Sequence, residues 1–183
     1  MIGDCTTAAL VSRAGAIDWL CWPRFDSPSC FAALLGGPEH GTWRIAPEDP
    51  APSVERRYID GSMVLETRFT TGSGEVALID FMPVGNHGSA VVRLVEGRRG
   101  RVDMRMGLAL RFFYGSAVPW VTRLPDGSGL VAIAGPDMAV LRTPVALQGE
   151  GFTTAASFTV HEGQTVPFVL SHGPGHLKPP KPV

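Results

Sequence analysis

One segment constrains this chain more than any other. In Val102-Asp103-Met104-Arg105-Met106-Gly107-Leu108-Ala109-Leu110-Arg111-Phe112 every even position is a large apolar residue, and Asp103, Arg105 and Arg111 fall on the odd face. A helix would scatter those apolar side chains around its axis, whereas an extended chain sends alternate residues to opposite sides. The segment is therefore a strand with one buried face.

The rest of the chain repeats that grammar. Met63, Leu65, Thr67 and Phe69 alternate with Val64, Glu66 and Arg68, and Thr71-Gly72-Ser73-Gly74 reads as a hairpin turn. It leads into 75–82, whose nearly continuous apolar content suits a central strand. Further strands are predicted at 90–96, 118–123, 130–134, 139–142, 152–160 and 165–170. The 22 Gly and 16 Pro punctuate these runs. Short connections favour antiparallel neighbours, and no helix-period segment is long enough to carry a parallel crossover. The expected fold class is all-β: a two-layer antiparallel β-sandwich with its apolar faces turned inward.

Two stretches depart from the pattern. Asp26 or Ser27 as N-cap, Pro28 in the first turn and Gly36 as a stop predict one short helix near residues 28–35, with Phe31, Leu34 and Leu35 against a sheet. The tail Gly173-Pro174-Gly175-His176-Leu177-Lys178-Pro179-Pro180-Lys181-Pro182 is too rich in Pro and Gly for a sheet or a helix. The expected division is a sandwich domain over 1–172 and a Pro-rich linker over 173–183, leading toward a further domain.

Composition narrows the function. Net charge is -1, and the one basic cluster, Arg98-Arg99-Gly100-Arg101, lies beside Glu96 and Asp103, reading as a solvated turn. That is not the concentrated basic face a nucleic-acid binder needs, so no nucleic-acid partner is expected. Cys5, Cys21 and Cys30 form neither a disulfide framework nor a CxxC zinc pair. With no apolar run of membrane-spanning length and no signal-peptide pattern, the expectation is a cytoplasmic protein without a membrane partner. The charged fraction, 18%, is low enough to leave room for a covered face, and a homo-oligomer through that face is one use of it.

Catalytic groups are hard to assemble from these residues. His40, His87, His161, His172 and His176 share no ligand spacing, and no G-x-S-x-G elbow, phosphate loop or dinucleotide motif is present. Glu66, Glu75 and Asp80 lie in or beside strands, but nothing pairs two of them as glycoside hydrolysis requires. No catalytic residue, metal or cofactor is expected. The most unusual segment is Trp19-Leu20-Cys21-Trp22-Pro23-Arg24-Phe25-Asp26-Ser27-Pro28. Aromatic faces stack on sugar rings, and Arg and Asp hold hydroxyls through charge-assisted hydrogen bonds. Trp22, Arg24, Phe25 and Asp26 are therefore the candidate contacts to a sugar or a domain interface. The plainer alternative is that the aromatics anchor the loop to the core while Arg24 pairs with Asp26.

At this segment the chain resembles a known family. Ile2-Gly3-Asp4-Cys5, Thr7-Ala8-Ala9-Leu10-Val11-Ser12-Arg13, Ile17-Asp18-Trp19-Leu20-Cys21 and Pro23-Arg24-Phe25-Asp26-Ser27-Pro28 are similar to the opening of the trehalase-like N-terminal domain of glycoside hydrolase family 15 proteins. Ile79-Asp80-Phe81-Met82-Pro83, Val118-Pro119-Trp120 and Ala134-Gly135-Pro136-Asp137 continue it in order. The resemblance implies a β super-sandwich preceding an α/α barrel that carries two catalytic glutamates. Such barrels cleave α-glucosidic bonds of starch-derived chains or trehalose with inversion, across carboxyl groups roughly 6.5–9.5 Å apart. This chain would then be a non-catalytic accessory domain docking on that barrel, with α-glucosides as substrates of the parent glucoamylase- or trehalase-like enzyme. The alternatives are a stand-alone carbohydrate-binding module using the aromatic loop, and a mutarotase-like enzyme, for which no acid–base pair is evident.

Overall fold

The computed structural model describes residues 1–85 and 88–180. His87 and residues 181–183 of the expected linker lie outside the described residues. Fifteen strands follow one another with no helix longer than a single 3-10 turn among the described residues. They are β1 (Ile2–Gly3), β2 (Ala8–Val11), β3 (Ala16–Cys21), β4 (Ser29–Phe31), β5 (Thr42–Pro47), β6 (Ser53–Tyr58), β7 (Leu65–Thr70), β8 (Gly74–Phe81), β9 (Ala90–Ala109), β10 (Trp120–Arg123), β11 (Gly129–Ala134), β12 (Asp137–Arg142), β13 (Gln148–Glu150), β14 (Thr153–His161) and β15 (Thr165–Pro174).

Every pairing is antiparallel, and the ladders join into one array that the twenty-residue β9 folds into two layers. The first part of β9 lies between β8 and β15, within the layer β6-β7-β8-β9-β15-β12-β11-β10. Its second part lies between β5 and β14, within the layer of β1, β2, β3, β5, β14 and β13, where β4 pairs with the far end of β3. The two layers face each other over one core: Phe158 of β14 meets Phe168 of β15 with ring centroids 5.3 Å apart. Trp43, Phe31, Phe69, Met104 and Met106 are fully buried in it.

The crossing is built from local residues. Gly97 pairs with Val76 and Arg99 with Glu75, leaving Arg98 as the extra residue of a bulge. An added residue shifts the alternation by one: Val91, Arg93 and Val95 point inward before it, Val102, Met104, Met106 and Leu108 after it. Gly97 has no room for a Cβ, which would strike the His161 carbonyl, and Gly100 has φ 65°. The cluster 98–101 is thus not a separate turn, as expected from sequence, but the corner of a continuous strand. Two of its charges are met by carboxylates, Arg98 by Glu96 (2.7 Å) and Glu66 (3.3 Å), and Arg101 by Asp103 (3.1 Å).

The expected helix near 28–35 takes another form. Ser29–Phe31 is strand β4, and only Ala33–Leu35 winds into a 3-10 turn. The local cap signals are overridden by pairing with Leu20 and Cys21, which buries Cys30 and Phe31 together. Leu34 and Leu35 consequently face outward instead of packing against a sheet. The tail also departs from expectation: Gly173 and Pro174 pair with Met138 and Asp137, so the last strand extends two residues past 172. A proline is tolerated at such a strand end because it costs only one ladder donor.

Candidate functional site

Both ends of β9 return to the same end of the sandwich, away from the Arg98 corner. The 22–28 loop, the 3-10 turns Ala33–Leu35 and Pro38–His40, the 110–119 connection, the β13–β14 hairpin and the exit from β15 therefore share that end. Exposed large apolar side chains gather there: Phe25, Leu34, Leu35, Val84, Tyr114, Val118, Trp120 and Phe152. Trp120 and Phe152, 77% and 83% exposed, flank a groove of about 700 Å³ floored by Leu108, Leu110, Leu130 and Leu147. Single exposed hydrophobics need no explanation, but such a concentration makes this end the candidate site.

The candidate residues divide into a buried base and an exposed tip. Trp22 is 3% exposed; its indole Nε1 donates to Ser89 Oγ (2.8 Å), and its ring lies 5.7 Å from that of His172. Ser89 Oγ in turn donates to Asp4 Oδ2 (2.6 Å), and His172 Nε2 lies 3.1 Å from Asp137 Oδ1. At the tip, Arg24 pairs with Asp26 through two contacts of 2.9 and 3.2 Å, while Phe25 stands 63% exposed between them. The Arg24 guanidinium holds the Asp26 carboxyl below the usual carboxylate range. The tip is thus a charged pair with an outward aromatic ring, while the Trp22 ring is buried beneath it.

Of the three free cysteines, Cys21 and Cys30 are buried and Cys5 is exposed. Burial pushes the Cys30 thiol well up, and Cys21 up as well, which disfavours the thiolate at both. Among the described residues no group of three or more His, Cys, Asp or Glu side chains is placed to hold a metal ion. The carboxylates weighed from sequence go to structure. Asp80 is sequestered by Arg93, and Glu66 is ringed by Arg57, Arg68 and Arg98. No helix is long and apolar enough to cross a membrane among the described residues.

A family profile described as "Trehalase-like, N-terminal" matches residues 1–180. The chain belongs to the trehalase-like N-terminal family. The trehalase of Mycolicibacterium smegmatis is similar to this chain at 40% identity over 102 residues, 56% of this chain and 15% of that protein. Trehalase 1 of Sulfolobus acidocaldarius is 36% identical over 126 residues, 69% of this chain and 21% of that protein. The trehalase of Thermoplasma volcanium is 33% identical over 132 residues, again 69% and 21%. The chain thus spans about a fifth or less of the length of the curated relatives it matches. For a trehalase-like N-terminal domain, the apolar groove at Trp120 and Phe152 was the feature missed from sequence. In the sequence, Val118, Trp120 and Phe152 belong only to the strands expected at 118–123 and 152–160, because the walls of the groove come from segments distant in sequence.

Proposed function

We propose that this chain is the non-catalytic N-terminal accessory domain of an inverting α-glucosidic hydrolase of family 15, trehalase- or glucoamylase-like, and that it docks through its loop end on the catalytic α/α barrel of the same polypeptide. The observation that carries the reading is the gathering of exposed apolar side chains at the one end where the Arg24–Asp26 tip also stands. Interfaces between domains of one chain cover roughly 600–1,500 Å² and tolerate such a mixture of apolar and charged contacts. The much greater length of the trehalases it matches supports a neighbouring domain in the same polypeptide. Trp22 serves as the anchor that sets the loop, and Arg24, Phe25 and Asp26 are the residues that meet the barrel near its sugar pocket.

The purified 183-residue chain should not hydrolyse trehalose or maltooligosaccharides, whereas the full-length gene product should hydrolyse one of them. Turnover by the chain alone would remove the reading. In the full-length protein, Arg24→Ala and Phe25→Ala should lower the melting temperature or alter the kinetics, and an unchanged enzyme would sink the role given to the tip. A carbohydrate-binding module is the second reading, favoured by the exposed Trp120 and Phe152 rings beside their groove. It requires heat on titrating maltooligosaccharides into the chain, and loss of that heat in Trp120→Ala.

A further inference from the structure

The exposed tip makes few bonds of its own. Besides the Arg24–Asp26 pair, its internal contacts are Arg24 N to Ser27 Oγ (3.2 Å) and Ser27 N to Arg24 O (3.1 Å). The bond from Trp22 N to Pro28 O (3.3 Å) closes the base of the loop, and the other hydrogen bonds beneath the tip lead to one carboxylate.

We propose that Asp4 is the positioning residue of the tip, acting through two arms. In the first, Asp4 Oδ1 accepts from Thr6 N (2.9 Å) and Thr7 N (2.8 Å), closing a turn in which Cys5 takes φ 71°. That turn grips the loop twice: Thr7 Oγ1 donates to Cys21 O (2.6 Å), and Phe25 N donates to Thr6 O (3.1 Å). In the second, Asp4 Oδ2 accepts from Ser89 Oγ (2.6 Å), which accepts from Trp22 Nε1 (2.8 Å). One carboxylate, itself 9% exposed, thereby holds the loop at Cys21, at Trp22 and at Phe25. Only an acceptor with two oxygens can serve both arms at once, because Oδ1 faces backbone donors and Oδ2 faces a hydroxyl. An interface residue held in advance loses less freedom on docking than one that must be ordered, so Asp4 acts on docking without touching the partner.

This inference deepens the docking reading and rests on it only for the purpose of the pose; the pose itself is measurable on the chain alone. In hydrogen-exchange NMR, Asp4→Ala should speed exchange of the Phe25 amide at least tenfold while core amides of β9 keep their protection. Ser89→Ala, which cuts only the second arm, should do the same to the Trp22 indole N–H. If Asp4→Ala does not fold, Asp4→Asn, which keeps one carbonyl oxygen for the Thr6 and Thr7 amides but loses the acceptor for Ser89, decides by the same two readings. Unchanged exchange at the Trp22 indole and the Phe25 amide would overturn the proposal. In the full-length protein, Asp4→Ala added to Arg24→Ala should have no further effect on melting beyond the loss that Asp4→Ala causes in the isolated chain, because both act through the tip. A full additional effect would also overturn it. If Arg24→Ala leaves the full-length protein unchanged while exchange at Phe25 rises in Asp4→Ala, the docking reading falls and the positioning role stands.

Discussion

Arg93 Nε donates to Asp80 Oδ1 at 2.7 Å and Arg93 Nη2 to Asp80 Oδ2 at 3.3 Å, with neither side chain exposed. Two further guanidinium hydrogens reach across the sandwich, Nη1 to the Trp43 carbonyl (2.6 Å) and Nη2 to the Gly15 carbonyl (2.8 Å). The cation also lies 5.0 Å from the Trp43 ring centroid. A charge from one layer is therefore neutralised by its strand neighbour and solvated by the backbone of the other.

Breaking this pair should be far worse than replacing it. Arg93→Ala strands the Asp80 carboxylate in the core and should cost about 3–5 kcal/mol, whereas an Arg93→Met, Asp80→Leu double variant should cost clearly less. Urea unfolding of the three proteins measures the difference. A double variant as unstable as the single one would contradict it.

Glu66 supplies a pH dependence whose sign is fixed. Its bond from Arg57, with Arg98 and Arg68 nearby, holds its carboxyl below the ordinary range. A lowered folded value means that this stability is present above the unfolded value and is lost as pH falls through the folded one. Arg57→Gln should accordingly lower the melting temperature by a few degrees at neutral pH and by almost nothing near about pH 2. Paired melts at the two pH values test it.

The corner of β9 should resist side chains. Gly97→Ala forces a methyl group against the His161 carbonyl and should cost about 1–3 kcal/mol. Gly107→Ala, in the same strand with nothing near the added carbon, should be neutral or slightly stabilising. Equal effects in denaturant titrations would discredit the steric account.

The loop should separate stability from recognition. Trp22→Ala removes a buried ring and should destabilise the chain by about 3–5 kcal/mol. Arg24→Ala and Phe25→Ala, at the exposed tip, should stay within about 0.5 kcal/mol of the parent in the isolated chain. Thermal unfolding of the three variants separates base from tip.

Much of this was legible in the residues, and the gaps have physical causes. Alternation in 102–112 announced the buried face of β9 because strand geometry acts locally. Pairing of Arg24 with Asp26, the plainer alternative, was readable because the partners sit two residues apart. The continuity of β9 through Arg98-Arg99-Gly100 was hidden, because charges and a glycine look like a turn when the facing strands are unknown. The helix expected at 28–35 failed for the converse reason: its capping signals are local, and the pairing of β4 with β3 that outweighs them is not. The contact of Asp4 with Ser89 was hidden, since the two lie 85 positions apart.

The shared strand also has a mechanical meaning. Because β9 starts and finishes at the loop end, a neighbour pulling on that end pulls lengthwise along ladders on both of its sides. Their hydrogen bonds then resist in parallel, in shear, instead of parting one by one as in a peeled hairpin. A load applied at that end would therefore be shared by many of these bonds at once.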